Sequence, residues 1–171
     1  ELSSSRINVF RNDVIYKLIE DYEAWMKKQK ADMERKRLEA IVRPGRIRIL
    51  PDCVFRASKP AIVGVEVLGG KIRPGVNLVK EDGSKVGNIK GIQDKGESVP
   101  EAIYKQEIAV SIEGPTVGRQ IHVGDVLFVE LPETHAKILE QELYDTLPAD
   151  ELETLQTFLA MKRKTNPFWG K

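Results

Sequence analysis

The chain has 171 residues, a net charge of +1 and a pI near 8.1, so no global basic field argues for a nucleic-acid partner. Its length suits one ordinary domain with appendages or two small ones. Charged residues make up 31%, above the roughly 25% usual for globular chains, as solvated helices or a thermophilic source would require.

Cys53 is the only cysteine, which excludes an intrachain disulfide and a cysteine-based zinc site and reads as a small buried residue of a reducing compartment. No apolar run approaches the roughly 18 residues of a membrane helix. The chain starts at Glu1 with no secretory leader pattern. It therefore reads as a cytosolic piece whose natural start lies elsewhere.

Residues 1–10 hold a short apolar alternation, Ile7 to Phe10, that fits the last strand of a preceding domain. A helix is expected from Asn12, a candidate N-cap with Asp13 in the first turn, to Val42. Val14, Ile15, Leu18, Ile19, Tyr22, Trp25 and Met26 recur at three- and four-residue steps and predict one buried face. From Lys27 to Arg37 only Ala31 and Met33 are apolar, the pattern of a helix that crosses solvent between domains. Asp32 with Lys36 and Glu39 with Arg43 are acid-before-base pairs at i,i+4, and Pro44 is the expected stop. The helical segment is taken as residues 11–43.

Residues 44–131 change register. Apolar alternation or valine-rich runs at 46–50, 61–68, 76–80, 85–93, 107–112 and 126–131 alternate with turn signals such as Gly69-Gly70, Pro74-Gly75, Asp82-Gly83 and Gly124-Asp125. Short strands at this spacing predict a small antiparallel barrel or sandwich, and the barrel is favoured because closure removes exposed edges. Residues 132–171 are helical again. Pro132 opens one helix, with Ile138, Leu139, Leu143 and Leu147 on one face. Asp150 with Glu153 forms a capping-box pattern for a second. That helix carries Leu152, Leu155, Phe158 and Leu159 and ends in Lys162-Arg163-Lys164. Two such short helices should fold back on the barrel.

Little catalytic chemistry is available. Gly64, Gly69, Gly70 and Lys71 imitate a phosphate loop, but lysine and Ser/Thr are not where that loop needs them, and these read as hairpin glycines. Cys53, His122 and His135 carry no nucleophile signature. His122 reads as a structural strand histidine and His135 as solvent-facing. One cysteine and two distant histidines do not make a metal site. Arg46 and Arg48 share a barrel face, and Arg56, Lys59, Lys71, Arg73, Lys90 and Arg119 could extend a basic edge. A normal solvated surface is the competing explanation, because acids nearly balance these bases.

The segment FRASKPAIVGVEVLGGKIRPGVNLVKEDGSKVGNIKGIQ, continued by EIAVSIEGPTVGRQIHVGDVL, resembles the domain-II-type barrel of translational GTPases. With NDVIYKLIEDYEAW and a charged helix before it and NPFWGK at the end, the whole chain resembles the C-terminal region of the archaeal initiation factor 5B family, relatives of bacterial initiation factor two. The resemblance implies a small all-β barrel with a long N-terminal connector helix and two short C-terminal helices. It implies that GTP and Mg2+ belong to a G domain outside these residues, so that this part binds no cofactor and is not an enzyme. The expected setting is the cytoplasm.

In that family the barrel holds the methionylated acceptor end of initiator tRNA during ribosomal subunit joining, and the C-terminal helices receive the tail of initiation factor 1A. Carried over by position, Gly64, Val65, Glu107 and Ile108 would line the methionine pocket. Two cysteines of the bacterial pocket are aliphatic here and a glycine is Ala109, which fits an unformylated methionine. Arg56, Lys59, Arg73 and Lys90 would contact phosphates. Leu155, Phe158, Leu159, Lys162, Arg163, Lys164, Phe168 and Trp169 would meet an acidic, apolar-studded tail, unless the aromatics cover the barrel instead. The alternative is a barrel that docks on ribosomal RNA without an aminoacyl pocket.

Overall fold

The computed structural model describes residues 15–171 and divides the chain after Ile41 into two compact units. The proposed cap at Asn12 and the strand remnant in residues 1–10 lie outside the described residues. The first unit contains helix α1, Ile15–Glu39, 25 residues and about 37 Å long. None of its residues is buried, so the expected buried face is not formed by the described residues: Ile15, Tyr16, Ile19 and Met33 are exposed. Tyr22 and Trp25 stack at 6.0 Å. Arg35, rather than Lys36 or Arg43, is the ion-pair partner of Asp32 and Glu39, at 3.5 and 3.8 Å. Such exposed pairs are worth a few tenths of a kcal/mol. The helix stops five residues before Pro44, so that proline follows the end instead of making it.

The second unit, Val42–Lys171, is built on eight strands: β1 Gly45–Arg56, β2 Ala61–Ile72, β3 Asn77–Lys80, β4 Lys85–Asp94, β5 Glu97–Ser98, β6 Ala102–Ile103, β7 Glu107–Glu113 and β8 Val126–Val129. Six of them form a closed antiparallel ring in the order β1-β8-β3-β4-β7-β2, because β2 also pairs with β1. β5 and β6 hang on β4 and β2. Alternation decides what faces inward. In β2 it sends Val63, Val65 and Val67 into the core, and in β7 it sends Ile108, Val110 and Ile112 there.

Gly69 and Gly70 are not hairpin glycines. They lie inside β2, opposite Arg46 and Gly45 of β1. A Cβ on Gly69 would come within 2.3 Å of the Thr154 hydroxyl, so the missing side chain is what lets the last helix rest on the sheet.

Helices α2, Glu133–Gln141, and α3, Ala149–Thr165, are joined through a single 3-10 turn, Tyr144–Thr146. Ala136, Leu139, Leu155, Phe158 and Leu159 are their buried apolar residues, and α3 also buries Glu151 and Thr154. The expected capping box does not form. The N-cap of α3 is Pro148, without a side-chain cap bond. Asp150 accepts instead from the Gly70 N–H at 2.9 Å, and Glu153 pairs with Arg46 at 3.2 Å. Asp150 still lies in the first turn, at the positive end of the helix, but both carboxylates are engaged by the barrel.

The segment entering β1 is gripped the same way. Arg43 meets Glu151 at 2.8 Å, the Val42 N–H donates to His135 Nδ1 at 3.1 Å, and the Lys71 N–H donates to the Pro44 carbonyl at 2.9 Å. His135 is therefore a packing partner, not a solvent-facing residue. At the far end Trp169 packs edge-on against Phe158 with centroids 5.7 Å apart, and the Gly170 N–H donates to Glu133 at 2.9 Å. Arg163 donates twice to Glu140, at 2.9 and 2.6 Å, and this guanidinium holds the Glu140 carboxyl below its ordinary value.

Candidate nucleic-acid and aminoacyl interface

On the outer face of the barrel, β1 departs from regular pairing. Ile49 is opposite Val65 and Val54 is opposite Val63, so residues 50–53 bulge out against Gly64 alone. Asp52 takes a left-handed φ of 57° in this bulge. Cys53 folds directly over Gly64: a Cβ on that glycine would lie 2.5 Å from Cys53 Cβ and 3.3 Å from Sγ. The bulge thus makes one wall of an open groove of about 310 Å³. Leu50, Cys53 and Phe55 come from β1, Gly64 from β2, Glu107, Ile108 and Ala109 from β7, and residues 93–96 from the β4–β5 turn. That volume is at the small end of the roughly 300–1,000 Å³ of ligand pockets.

Of the four residues expected at a methionine pocket, three line this groove: Gly64, Glu107 and Ile108. Val65 does not. It follows Gly64 on a strand, so its side chain points to the opposite face, where it has no exposed surface. Ile108 follows Glu107 in the same way and contributes only a margin, being 5% exposed. The outward positions are Gly64 opposite Ala109 and Glu66 opposite Glu107. Two like charges face each other in the second pair, a destabilising arrangement unless relieved. Arg48 relieves it by pairing with Glu66 at 2.7 Å, which leaves Glu107 without an ion-pair partner among the described residues.

Cys53, Phe55, Asp94 and Lys95 also line the groove without having been expected there, whereas Ala109 occupies the position matched to a pocket glycine. Cys53 is half-buried and faces the groove rather than lying in the core. The nearest sequence signal is Pro51-Asp52 interrupting an alternating strand.

The expected phosphate contacts divide. Arg73 donates twice to Glu101, at 3.0 and 2.8 Å, and Lys90 pairs with Glu113 at 2.9 Å. Arg56 and Lys59 are exposed and carry no ion pair among the described residues. They flank the β1–β2 turn, which is tied to the loop bearing Arg119 by the Val117 N–H donating to the Ala57 carbonyl at 2.8 Å. Arg46 is committed to Glu153. His122 is an exposed loop residue whose own N–H donates to Asp125 at 2.8 Å, not a strand histidine.

At the C-terminal helices, Leu155, Phe158 and Leu159 are buried and unavailable to a partner without unpacking. Lys162 Nζ lies 5.4 Å from the Phe158 ring centroid and 3.9 Å from Glu130, and Arg163 is held by Glu140. Lys164 and Phe168 remain exposed, and Trp169 is half-covered. Among the described residues no group of three or more His, Cys, Asp or Glu side chains could hold a metal ion, and no helix is long and apolar enough to cross a membrane.

Residues 43–128, which include the whole groove, match the family model described as elongation factor Tu domain 4. The chain belongs to the elongation factor Tu domain 4 family. Its full length is also similar to archaeal translation factors. It is 57% identical over 171 residues to a protein named probable translation initiation factor IF-2 from Methanothrix thermoacetophila, and 56% identical to its namesake from Methanococcoides burtonii. It covers 28% and 29% of those proteins, so the chain spans less than a third of the curated relatives it matches. The crystal structure of GDP-bound aIF5B from Aeropyrum pernix superposes on it with a TM-score of 0.76 at 44% identity, over 96% of this chain and 28% of that one. The closed domain 4 barrel and the helices at its two ends are thus shared with aIF5B.

Proposed function

We propose that this domain 4 barrel is the non-catalytic aminoacyl-binding module of a translation initiation factor, acting in the cytoplasm at ribosomal subunit joining. The groove takes the methionylated acceptor end of initiator tRNA. The observation that carries this reading is the convergence of Gly64, Glu107, Ile108 and Ala109 on one open groove with Cys53 and Phe55. A thioether side chain suits the walls formed by Cys53, Phe55 and Ala109. Phe55 is 69% exposed and offers a face on which the terminal base can stack, worth about 1–3 kcal/mol. Glu107 and Asp94 supply negative charge for a free α-ammonium, and Arg56 and Lys59 stand free for phosphates. On this reading GTP and Mg2+ are taken by a separate G domain; Gly64 to Lys71 run inside strand β2.

The aminoacyl ester hydrolyses spontaneously, so a protein that covers it slows its loss. Protection is expected for methionylated initiator tRNA, and Ala109→Phe, which fills the groove from an outward position, should reduce it at least tenfold while the barrel melts as before. Equal binding of methionylated and deacylated tRNA would refute the aminoacyl pocket and leave docking on ribosomal RNA as the reading.

For the tail of initiation factor 1A, the available surface is Lys164, Phe168 and the open side of Trp169, not the buried face of α3. Lys164→Glu with Phe168→Ala should abolish binding of an acidic tail peptide, followed by titration calorimetry. Undiminished binding by that double variant would place the tail elsewhere.

A further inference from the structure

We propose that helix α2 links residues 169–171 to the point where the barrel unit begins, so that an acidic peptide seated on Lys164, Phe168 and Trp169 tightens the hold on Val42. The peptide's part in this rests on the tail-binding reading given above. Three α2 side chains grip the far end of the unit. Glu133 accepts from the Gly170 N–H at 2.9 Å, and the Lys137 ammonium donates to the Lys171 carbonyl at 3.3 Å. Glu140 accepts twice from Arg163, whose Nε donates to the Trp169 carbonyl at 3.1 Å. Positions 133, 137 and 140 are four and three residues apart and so form one stripe of the helix. His135 is two residues after Glu133, about 200° further round the helix, and its Nδ1 accepts from the Val42 N–H at 3.1 Å. The two ends of the barrel unit, Val42 and Lys171, thus meet on opposite sides of one nine-residue helix.

This helix is poorly held by anything else. It starts at Pro132 without a side-chain cap bond, and its buried residues are Ala136 and Leu139 alone. Helices shorter than about 12–15 residues are marginal by themselves, so docking of α2 depends on the bonds made from its two sides. An element of this kind opens locally without the closed ring opening. Only the docked helix can hold both Val42 and residues 169–171, so each bond favours the state that the other needs. A ligand that orders the tail removes part of the ordering cost, and the bond to Val42 gains from it. The surface available to an acidic peptide adjoins the gripped atoms. Lys171 Nζ stands 5.8 Å from the Phe168 ring centroid, and Trp169 carries the carbonyl that Arg163 holds.

Hydrogen–deuterium exchange of the Val42 amide in the intact protein, resolved by overlapping peptides, reads the link. Glu133→Ala removes the acceptor of the Gly170 N–H and should speed this exchange about 5- to 10-fold, while amides of β7 keep their rates because the ring stays closed. Glu133→Gln keeps an acceptor oxygen and should exchange as wild type does, which a simple effect of charge at the start of the helix would not allow. Saturation of the wild type with the acidic tail peptide should slow exchange at Val42 about 3- to 10-fold, and Glu133→Ala should abolish that slowing. Coupling of this kind is reciprocal, so His135→Ala, on the far side of α2, should weaken the peptide by a similar factor of about 3 to 10 in calorimetry. Exchange at Val42 that ignores Glu133→Ala, or that rises as much in Glu133→Gln, overturns the link. A peptide that binds and leaves Val42 unprotected overturns the coupling to a partner. If calorimetry detects no binding of the peptide, the tail-binding reading fails separately, and the two Glu133 variants still decide whether α2 joins the ends of the unit.

Discussion

Arg43→Ala should destabilise the barrel unit by about 3–5 kcal/mol, the usual cost of stranding a buried carboxylate. Glu151 is 1% exposed, its contact with Arg43 is 2.8 Å, and neither of its oxygens accepts a hydrogen bond among the described residues. The carboxylate therefore depends on one counter-charge. Glu151→Leu should cost much less, since Arg43 is about a quarter exposed and can turn its guanidinium to water. Arg43→Leu combined with Glu151→Leu should recover most of the loss, because no buried charge is then left. Urea denaturation of the three variants reads this directly. A cost below about 1 kcal/mol for Arg43→Ala would mean that the pair behaves as an ordinary surface contact.

The second large effect is expected at Gly64. An alanine methyl there would lie 2.5 Å from Cys53 Cβ, a distance no two such carbons sustain, so the bulge of β1 has to move outward. Gly64→Ala should cost about 1–3 kcal/mol through overpacking and, by displacing Cys53 and Phe55, reduce ester protection at least tenfold. Cys53→Gly added to it removes the colliding atom and should restore most of the stability. The coupling between the two sites is then of the order of 0.5–3 kcal/mol. Strictly additive losses would show that the glycine is needed for some reason other than the cysteine lying over it.

Much of the barrel was legible because its strands alternate. The runs at 46–50, 61–68, 85–93 and 107–112 all lie within observed strands, and Val126 begins β8 as expected. Less visible were the ends. β2 runs on through Gly69 and Gly70 to Ile72, since Gly69 admits the close approach of α3 and Gly70, with a φ of 70°, that of the Pro44 backbone, and neither makes a hairpin turn. The capping-box pattern of Asp150 and Glu153 failed for a related reason: both carboxylates found barrel partners a long way off in sequence, and no local pattern encodes them.

The groove was half legible. Gly64 and Glu107 could be placed by position along two matched segments, but neighbours on a strand face opposite ways, so Val65 could not accompany Gly64. Cys53, Phe55 and Lys95 reach the site through a bulge and a hairpin, and the consequences of those features are tertiary. On α1 the i,i+4 spacing does not select the partners, because Arg35 lies within reach of both Asp32 and Glu39. Arg43 belongs to the other unit's chemistry.

The twelve residues of β1 belong to two mechanical regimes. From Arg46 to Arg48 the strand is laced on both sides, to β8 and to β2; beyond Ile49 it is unpaired for four residues and then rejoins β2 alone at Val54. Amide protons in the first part can reach solvent only when the ring itself opens, whereas those in the bulge need only a local excursion. The wall of the groove is thereby free to breathe and to adjust to an occupant while the closed ring beneath it stays shut.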